Sequence, residues 1–420
     1  MRRAHAERLH ERDPQGGQAR LARSGVTSLR AHSQLERARG VMTVAEEEHR
    51  ILQGNQLGSL IEALSRKGYD VIGPTLRDGA IALDHIESAE QLPTGWIDEQ
   101  EAGRYRLECR EDQAVFGYAV GPQSWKKYLH PAEARLCSAE RNGGIFRILS
   151  NEKPPGRRYA FLGVRACDLS AIAVQDRVLI GDKYQDPIYA GRREGVFIVA
   201  VQCTRSAATC FCASMGTGPG MRAGFDLVLT ELAGQGGHRF VLQAGSKRGT
   251  EVLAQLKTSP ASEEDVRRAN AEVNAAASRQ VRSIDTAGIK ELLYQNFDHP
   301  RWETVANRCL TCANCTMVCP TCFCTTVEDV STLAGDHAER WRYWDSCFTL
   351  SFSYIHGGNI RASGKARYRQ WMTHKLASWI DQFGTLGCVG CGRCITWCPV
   401  GIDITEELRA IQETGTHGNA

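Results

Sequence analysis

The chain has 420 residues, of which 24% are charged and 42% are hydrophobic, and its formal net charge is +3. This length allows two or three domains with substantial cores, and the composition is ordinary for a soluble globular protein. A net charge this small gives no general reason to expect nucleic acid or an anionic membrane as a partner.

The cysteine count is high, at seventeen. In a long chain without a secretory signal, thiols in C-x2-C groupings indicate metal centres in a reducing compartment rather than disulfides. No apolar run approaches the roughly eighteen residues of a membrane span. We therefore expect a cytoplasmic protein that binds no membrane.

Residues 1–41 contain nine arginines and four acidic residues without a periodic apolar pattern. An arginine-rich start is also typical of an organelle transit peptide. We interpret the segment as a disordered leader, or as sequence that precedes a true start at Met42.

Residues 42–255 are predicted to form an α/β domain. Leu57, Leu60, Ile61 and Leu64 repeat at helical spacing, and Gly68 is a suitable C-cap. The strand Tyr69–Ile72 is predicted to follow at once and to end at Gly73-Pro74. The further predicted strands are Tyr159–Val164, Gly195–Val201, Phe225–Leu229 and Phe240–Leu242, and a helix is predicted over Leu169–Ile180.

Four cysteines are predicted to meet at one edge of this sheet. Cys167 and Cys203 follow two continuous apolar runs, which are typical of strands buried on both faces. Ligands of such sheets bind beyond the carboxyl ends of the strands. Cys210 and Cys212 lie in the next, glycine-rich loop. We expect these four thiols to form a soft site for a third [4Fe–4S] cluster, with zinc and four unrelated buried thiols as the alternatives.

Residues 256–300 are predicted to form a helical connection between two domains. Ser262 and Asp265 have the spacing of an N-terminal capping arrangement. Pro300 suits the first position of a helix that leads towards Cys309.

Residues 301–408 contain two copies of the pattern C-x2-C-x2-C-x3-C-P, which bacterial two-cluster ferredoxins use to hold [4Fe–4S] cubanes. Zinc is the main alternative for such a pattern. In the ferredoxin arrangement the fourth cysteine of each copy ligates the other cluster. The predicted ligands of cluster 1 are Cys309, Cys312, Cys315 and Cys398, and those of cluster 2 are Cys388, Cys391, Cys394 and Cys319.

A long stretch rich in aromatic residues and arginines separates the two copies. We expect it to be a helical insertion that shields the clusters, which favours an α-helical ferredoxin-like domain. The thiols of Cys322, Cys324 and Cys347 are left over, as core residues or as further metal ligands. A short helix over Ile404–Ile411 is predicted next, and residues 409–420 are assigned to a disordered tail.

Several short strings in this sequence together resemble one family, the beta subunits of cytoplasmic heterotetrameric [NiFe] hydrogenases, also called sulfhydrogenases. The sequence is also similar to an electron-transfer subunit of anaerobic sulfite reductase, which belongs to the same broader family. Ala166 stands where that family commonly has proline. The strings are Gly163-Val-Arg-Ala-Cys167-Asp168, Thr209-Cys-Phe-Cys212, Cys319-Pro-Thr-Cys-Phe-Cys324, Trp344-Asp-Ser-Cys347 and Gly387-Cys-Val-Gly-Cys-Gly-Arg-Cys394.

This resemblance implies a redox subunit without catalytic side chains of its own. It would relay electrons between the small and large subunits of a [NiFe] hydrogenase and a flavin- and NAD(P)-binding subunit. The alternative is the corresponding subunit of an anaerobic sulfite reductase or a related oxidoreductase. The expected fold is an α/β (α+β) N-terminal domain followed by an α-helical ferredoxin-like dicluster domain.

Overall fold

A computed structural model describes residues 48–149, 156–181, 184–234 and 237–415. The predicted leader and the last residues of the predicted tail lie outside these ranges. The described residues belong to one compact unit. Among them, no helix combines the length and the apolar character needed to cross a membrane.

Sixteen strands are present in the described part of the chain. They are β1 Arg50–Gln53, β2 Tyr69–Arg77, β3 Ala80–His85, β4 Trp96–Glu101, β5 Arg104–Cys109, β6 Glu133–Asn142, β7 Ile145–Leu149, β8 Arg158–Val164, β9 Phe197–Val201, β10 Leu227–Leu232, β11 Arg239–Ala244, β12 Ser259–Pro260, β13 Thr325–Ser331, β14 His337–Trp344, β15 Tyr354–Ile355 and β16 Gly358–Asn359.

Thirteen α-helices accompany these strands in the same ranges. They are α1 Leu57–Arg66, α2 Lys126–Leu129, α3 Ala166–Leu179, α4 Pro187–Arg193, α5 Lys247–Leu253, α6 Glu263–Ser278, α7 Ile289–Gln295, α8 Arg301–Ala306, α9 Asn314–Met317, α10 Gly364–Thr373, α11 Trp379–Phe383, α12 Arg393–Thr396 and α13 Ile404–Thr414; a π-helical turn, His374–Ser378, joins α10 to α11.

An eight-stranded sheet with the order β12-β1-β11-β10-β9-β8-β2-β3 forms the centre of the N-terminal part. Strands β10, β9, β8 and β2 are parallel, and the outer strands pair antiparallel. The strands predicted to bring Cys167 and Cys203 together are therefore direct neighbours. The mixed α/β character predicted for this part of the chain is confirmed.

Both faces of this sheet are covered, as the continuous apolar runs predicted. Along β9, Phe197, Val199 and Val201 pack into one core, whereas Ile198 and Ala200 pack into another on the opposite face. Successive side chains of a strand point to opposite faces, so a strand buried on both sides needs apolar residues at every position.

Strand β2 is longer than predicted. The sequence indicated an end at Gly73-Pro74, but the strand continues to Arg77 because it pairs antiparallel with β3. Its parallel pairing with β8 ends at Ile72, so Pro74 lies where β2 has a hydrogen-bonded neighbour on one side. Proline is tolerated at such a position because no ladder bond is lost there.

The insertion between the two cysteine motifs is not wholly helical, so that part of the prediction is wrong. Its first half is the hairpin of β13 and β14, which joins β6 and β7 in a second sheet with the order β13-β14-β6-β7. Four of the seven residues of Thr325–Ser331 are β-branched, which favours a strand. The hairpin thus adds two strands of the dicluster region to a sheet begun by the N-terminal part.

Helices α8, α10 and α13 enclose the core beside the cysteine motifs, with Trp302, Trp371, Met372, Leu408 and Ile411 at its centre. Helix α13 extends to Thr414, so ordered structure continues beyond residue 408, where the tail was predicted to begin. Its amphipathic side faces this core, which explains the longer helix. The capping box predicted at Ser262 and Asp265 is confirmed at the start of α6.

Candidate metal centre

The first cysteine motif and the fourth cysteine of the second motif line one pocket. Cys309, Cys312, Cys315 and Cys398 all contribute to its wall, together with Cys394. The space among these residues, together with the solvent at its open side, is about 460 Å³. The rest of the wall is mainly apolar and aromatic: Leu310, Ala313, Phe348, Tyr368, Trp371, Pro399, Val400, Ile402 and Ile404.

The two motifs have the same backbone fold around the second cysteine. Thr311 and Ala313, which flank Cys312, have φ angles of 51° and 68°. Gly390 and Gly392 flank Cys391 in the second motif, with φ angles of 63° and 76°. Left-handed conformations at both positions let the chain curl around a central point, at a steric cost for the two non-glycine residues.

The backbone donates hydrogen bonds towards the sulfurs in both copies. The N–H of Thr311 approaches the sulfur of Cys309 at 3.4 Å. The N–H groups of Gly390 and Arg393 approach the sulfurs of Cys388 and Cys391 in the second motif. Such bonds stabilise thiolates and are one of the means by which proteins tune iron–sulfur clusters.

Cys319 lies beside the three other cysteines of the second group, and of its own motif it also interacts with Cys315. Its sulfur is close enough for electrostatic interaction with Cys388, Cys391 and Cys394. The Nζ of Lys375 approaches the same sulfur at 3.2 Å and also donates to Thr321 Oγ1 at 3.0 Å. The structure thus brings together the predicted ligands of each cluster in two neighbouring groups.

Most of these thiols are buried enough to resist ionisation by themselves. Burial raises the pKa of Cys388 to about 12, and it raises the pKa of Cys315 and Cys394 well above the ordinary value. Cys319 differs, because a hydrogen bond from the Cys322 thiol and the ammonium of Lys375 lower its pKa. Metal binding to thiols displaces their protons, so such dry sulfurs suit a cluster that supplies the compensating charge.

These observations test whether the residues fit a cubane. Four sulfurs line one pocket, the loops curl around it, backbone N–H groups donate to sulfur, and the rest of the wall is mainly apolar. The donor set therefore fits a [4Fe–4S] cluster held by four thiolates. Among the described residues no three Cys, His, Asp or Glu side chains are grouped tightly enough for a single metal ion.

The four thiols at the sheet edge lie in one neighbourhood. Cys210 and Cys212 interact electrostatically with each other and with Cys203, and Cys212 also lies near Cys167. Cys167 sits in the first turn of α3, because that helix begins three residues earlier than predicted. Three of the four are buried, and Cys203 is half-buried.

This sheet-edge group adjoins the second motif. Cys391 interacts with Cys167, Cys210 and Cys212. The N–H of Phe211 donates to the carbonyl of Gly390 at 2.9 Å. The loop that carries Cys210 and Cys212 therefore packs directly on the loop that carries Cys391.

A buried ion pair fixes the same contact. Arg393, 2% exposed, lies 2.8 Å from Asp168, and it donates to the carbonyls of Gly121 and Gln123. An unpaired buried charge is strongly unfavourable, so the pair defines one register of the second motif against α3.

Sequence patterns did not indicate three polar features of the site. These are Lys375, Lys126 and the buried contact between Thr209 and Thr396, which are 2.8 Å apart. Arg393 and Asp168 each stand beside a cysteine in the sequence, and this adjacency was a signal for charges near clusters. Lys375 lies in the insertion, and no spacing rule relates it to Cys319.

The profile of the 4Fe-4S dicluster domain family matches residues 308–402. With the paired cysteine groups, this match defines an iron–sulfur protein that carries [4Fe–4S] clusters.

The chain is 32% identical over 275 residues to the sulfhydrogenase 2 subunit beta of Pyrococcus furiosus, a match that covers 64% of this chain and 79% of that relative. No solved structure gave a significant match. The chain belongs to the family of sulfhydrogenase beta subunits, and it is an iron–sulfur electron-transfer subunit.

Proposed function

We propose that this chain relays electrons between the small and large subunits of a cytoplasmic [NiFe] hydrogenase and a flavin- and NAD(P)-binding subunit. The observation that carries the proposal is the close packing of two complete cysteine groups, the first of them within a mainly apolar wall. A relay needs closely spaced clusters and exclusion of water, and it needs no catalytic side chain. The homology to a sulfhydrogenase beta subunit supports this choice of complex.

The ligand assignment is crossed. Cys398 shares a pocket with Cys309, Cys312 and Cys315, and Cys319 lies among Cys388, Cys391 and Cys394. The grouping supports one cubane held by each set, with the fourth cysteine supplied by the other motif. The clusters supply reversible one-electron chemistry when bound, and the chain's residues hold them, exclude water and donate to their sulfurs.

A third cubane is assigned to Cys167, Cys203, Cys210 and Cys212. Their common neighbourhood and their contact with Cys391 support a site next to cluster 2. The guanidinium of Arg165, which is buried, lies 4.0 Å from the Cys203 sulfur and offers positive charge to thiolates there. With the third cluster next to cluster 2, the relay would run from the sheet edge through cluster 2 to the pocket of cluster 1.

Metal analysis tests the third site. The anaerobically purified full-length chain should contain about twelve iron and about twelve sulfide with three cubanes, and about eight of each with two. Cys210→Ser should remove about four iron, whereas Cys137→Ser, a control on β6 outside these groups, should remove none. A fully loaded chain with eight iron and no zinc would end the assignment.

The pocket of cluster 1 opens to the surface. Cys312 is exposed, and Leu310 and Val400 on the pocket wall are 61% and 37% exposed. An apolar rim beside an exposed ligand suits a partner that receives or donates electrons there. We assign this face to contact with a redox subunit of the complex.

The function is tested by separating two activities of the reconstituted complex. Cys391→Ser should abolish hydrogen evolution driven by the reduced nicotinamide and leave dye-linked hydrogenase activity largely intact. Cys137→Ser should retain both activities. Equal retention of both in Cys391→Ser would mean that the dicluster domain is off the electron path. Copurification with nickel-containing subunits, or with a sulfite-reducing partner, identifies the complex.

A further inference from the structure

A cavity with a volume of about 350 Å³ and no cysteine in its wall lies at the carboxyl ends of β9 and β10. Residues 204–206 follow β9, and residues 231–233 form the end of β10 and the position after it. These two strands are parallel neighbours, and ligands of parallel sheets bind at the carboxyl ends of the strands. The volume is within the range of roughly 300–1,000 Å³ that is usual for small-molecule sites. The other wall residues are Arg110, Asp112, Ala114, Gly117, Arg268, Glu272 and Arg279.

Hydrogen bonds between its walls hold this cavity in shape. Ser206 Oγ donates to the carbonyl of Ala276 in α6 at 2.8 Å, and Gln280 Nε2 donates to Ser206 Oγ at 3.2 Å. On the other side, Arg268 Nη2 donates to the carbonyl of Ala233 at 3.0 Å. Helix α6 is thereby tied both to the loop after β9 and to the end of β10. A wall that is formed before the ligand arrives lowers the entropy cost of binding.

Two of the three carboxylates in the wall already have donors from the protein. Asp112 forms a bidentate ion pair with Arg110. Glu231, which is 6% exposed, accepts the backbone N–H groups of Val115 and Phe116 at 2.7 and 2.8 Å. Because both oxygens of each carboxylate are engaged in this way, neither group is available as the main partner of a cationic ligand.

Two arginines of the wall keep unused hydrogen-bond donors. Arg205 donates to Asp98 through Nη1 at 3.0 Å, and within the described part of the chain its Nε and Nη2 have no acceptor. Arg279 is exposed, and it forms no ion pair or hydrogen bond with another described residue. A guanidinium group carries five N–H donors in a planar fork, so these two side chains offer the cavity several donors and no acceptor.

The third carboxylate, that of Glu272, lies on the same wall. Arg268, Glu272 and Arg279 are separated by four and seven residues, a spacing that places them on one side of α6 and its C-terminal cap. Among the described residues, Glu272 has no ion pair or hydrogen-bond partner. The charged groups left to meet a ligand are therefore the guanidinium groups of Arg205 and Arg279 and this one carboxylate.

We propose that this cavity binds a small molecule that carries a phosphate or carboxylate group, with Arg205 and Arg279 as the residues that contact the oxyanion. The planar fork of a guanidinium group matches the oxygens of both anions and can bind either of them in a bidentate manner. Glu272 repels such an anion and therefore limits the affinity of the site. The site is separate from the cysteine groups, so its existence does not depend on the number of clusters.

Anaerobic titration calorimetry of the cluster-loaded, full-length chain tests the site, with inorganic diphosphate and citrate as separate probes. We expect one molecule of at least one probe to bind per chain, and the probe that binds more tightly distinguishes a phosphate ligand from a carboxylate ligand. Arg279→Met should weaken this binding at least tenfold, because it removes a guanidinium group that has no other partner. Glu272→Gln should strengthen it at least threefold, because it removes a negative charge from the wall.

Matched controls come from the same helix. Arg267 and Glu264 are exposed on α6 outside the cavity and pair with each other at 2.8 Å. Arg267→Met and Glu264→Gln change the net charge of the chain as the two test variants do, and both should leave the affinity unchanged. Equal weakening in Arg267→Met would mean general attraction of anions, and it would overturn the site. Failure of both probes to bind at millimolar concentration would overturn it as well, as would binding that Glu272→Gln abolishes and Arg279→Met retains.

Discussion

At the scale of single residues, the site depends on charges and sulfurs placed among mainly apolar side chains. Lys375 is the clearest example, because its buried ammonium contacts the Cys319 sulfur, Thr321 and the carbonyl of Gly387. A positive charge beside a cluster ligand favours the reduced, more negative cluster. Cys319 is therefore positioned by the spacing of its motif and by its contact with Lys375, which lies in the insertion between the two motifs.

The crossed ligation gives the first prediction. Cys398→Ala should abolish the signal of the cluster held by Cys309, Cys312 and Cys315, because it removes the fourth ligand of that group. Cys319→Ala should abolish the signal of the other cluster. Electron paramagnetic resonance of the reduced single variants distinguishes the two signals. If each substitution instead removes the cluster of its own motif, the crossed assignment is refuted.

The second prediction concerns Lys375. Lys375→Met should lower the reduction potential of the cluster held by Cys319, because a nearby positive charge and an N–H···S hydrogen bond are lost. A difference of about 1.4 kcal/mol between the two oxidation states corresponds to ~59 mV for a one-electron couple. Redox titration followed by electron paramagnetic resonance measures the shift.

Two further variants control this experiment. Lys365→Met removes a lysine of the same helical segment that pairs with Glu303 at 3.4 Å, and it should leave both potentials unchanged. Lys375→Arg should keep most of the potential because the charge remains. An unchanged potential in Lys375→Met would remove this residue from the tuning of the cluster.

At the scale of elements, the second cysteine loop and the loop Thr209–Cys212 fit together closely. A Cβ atom on Gly392 would collide with the carbonyl oxygen of Thr209, and one on Gly390 would lie 2.7 Å from the backbone of Cys212. Glycine is required here both by the left-handed φ angles and by this close approach. In the first motif, the corresponding positions are occupied by Thr311 and Ala313.

This packing gives the third prediction. Gly392→Ala should reduce the free energy of unfolding by more than the ~1–2 kcal/mol of a strained left-handed residue, since the new methyl group also collides with backbone. Gly384→Ala is the matched control, with a φ of 67° and nothing within 4 Å of the added carbon. Thermal unfolding of the loaded proteins compares the two. Equal losses would mean that the loops do not constrain each other.

Some elements of the fold could be predicted from the sequence, and others could not. The buried strands of the main sheet were predictable because nearly every position in β8 and β9 is apolar, and the capping box fixed the start of α6. The two groups of four cysteines were predictable because both copies of the motif have the spacing that two-cluster ferredoxins use. The pairing of β14 with β6 was not, since it joins segments about two hundred residues apart and no local pattern encodes which distant hairpin a strand pairs with.

At the scale of the whole molecule, the dicluster region is built into the N-terminal part. The second sheet combines strands from both regions, and Arg393 pairs with Asp168 across the contact. The N–H of Gly103, in the turn between β4 and β5, also donates to the carbonyl of Ile395 at 3.1 Å. Thiols from three chain segments thereby lie close together in one region of the protein.

Freeze-quenched electron paramagnetic resonance of the native complex tests this relay most directly. With hydrogen as the sole reductant, the cubane signals assigned to this chain by the cysteine variants should appear within the turnover time. They should decay when oxidised nicotinamide is added, because electrons then leave through the clusters. Signals that stay unchanged while hydrogen and nicotinamide turn over would contradict the relay.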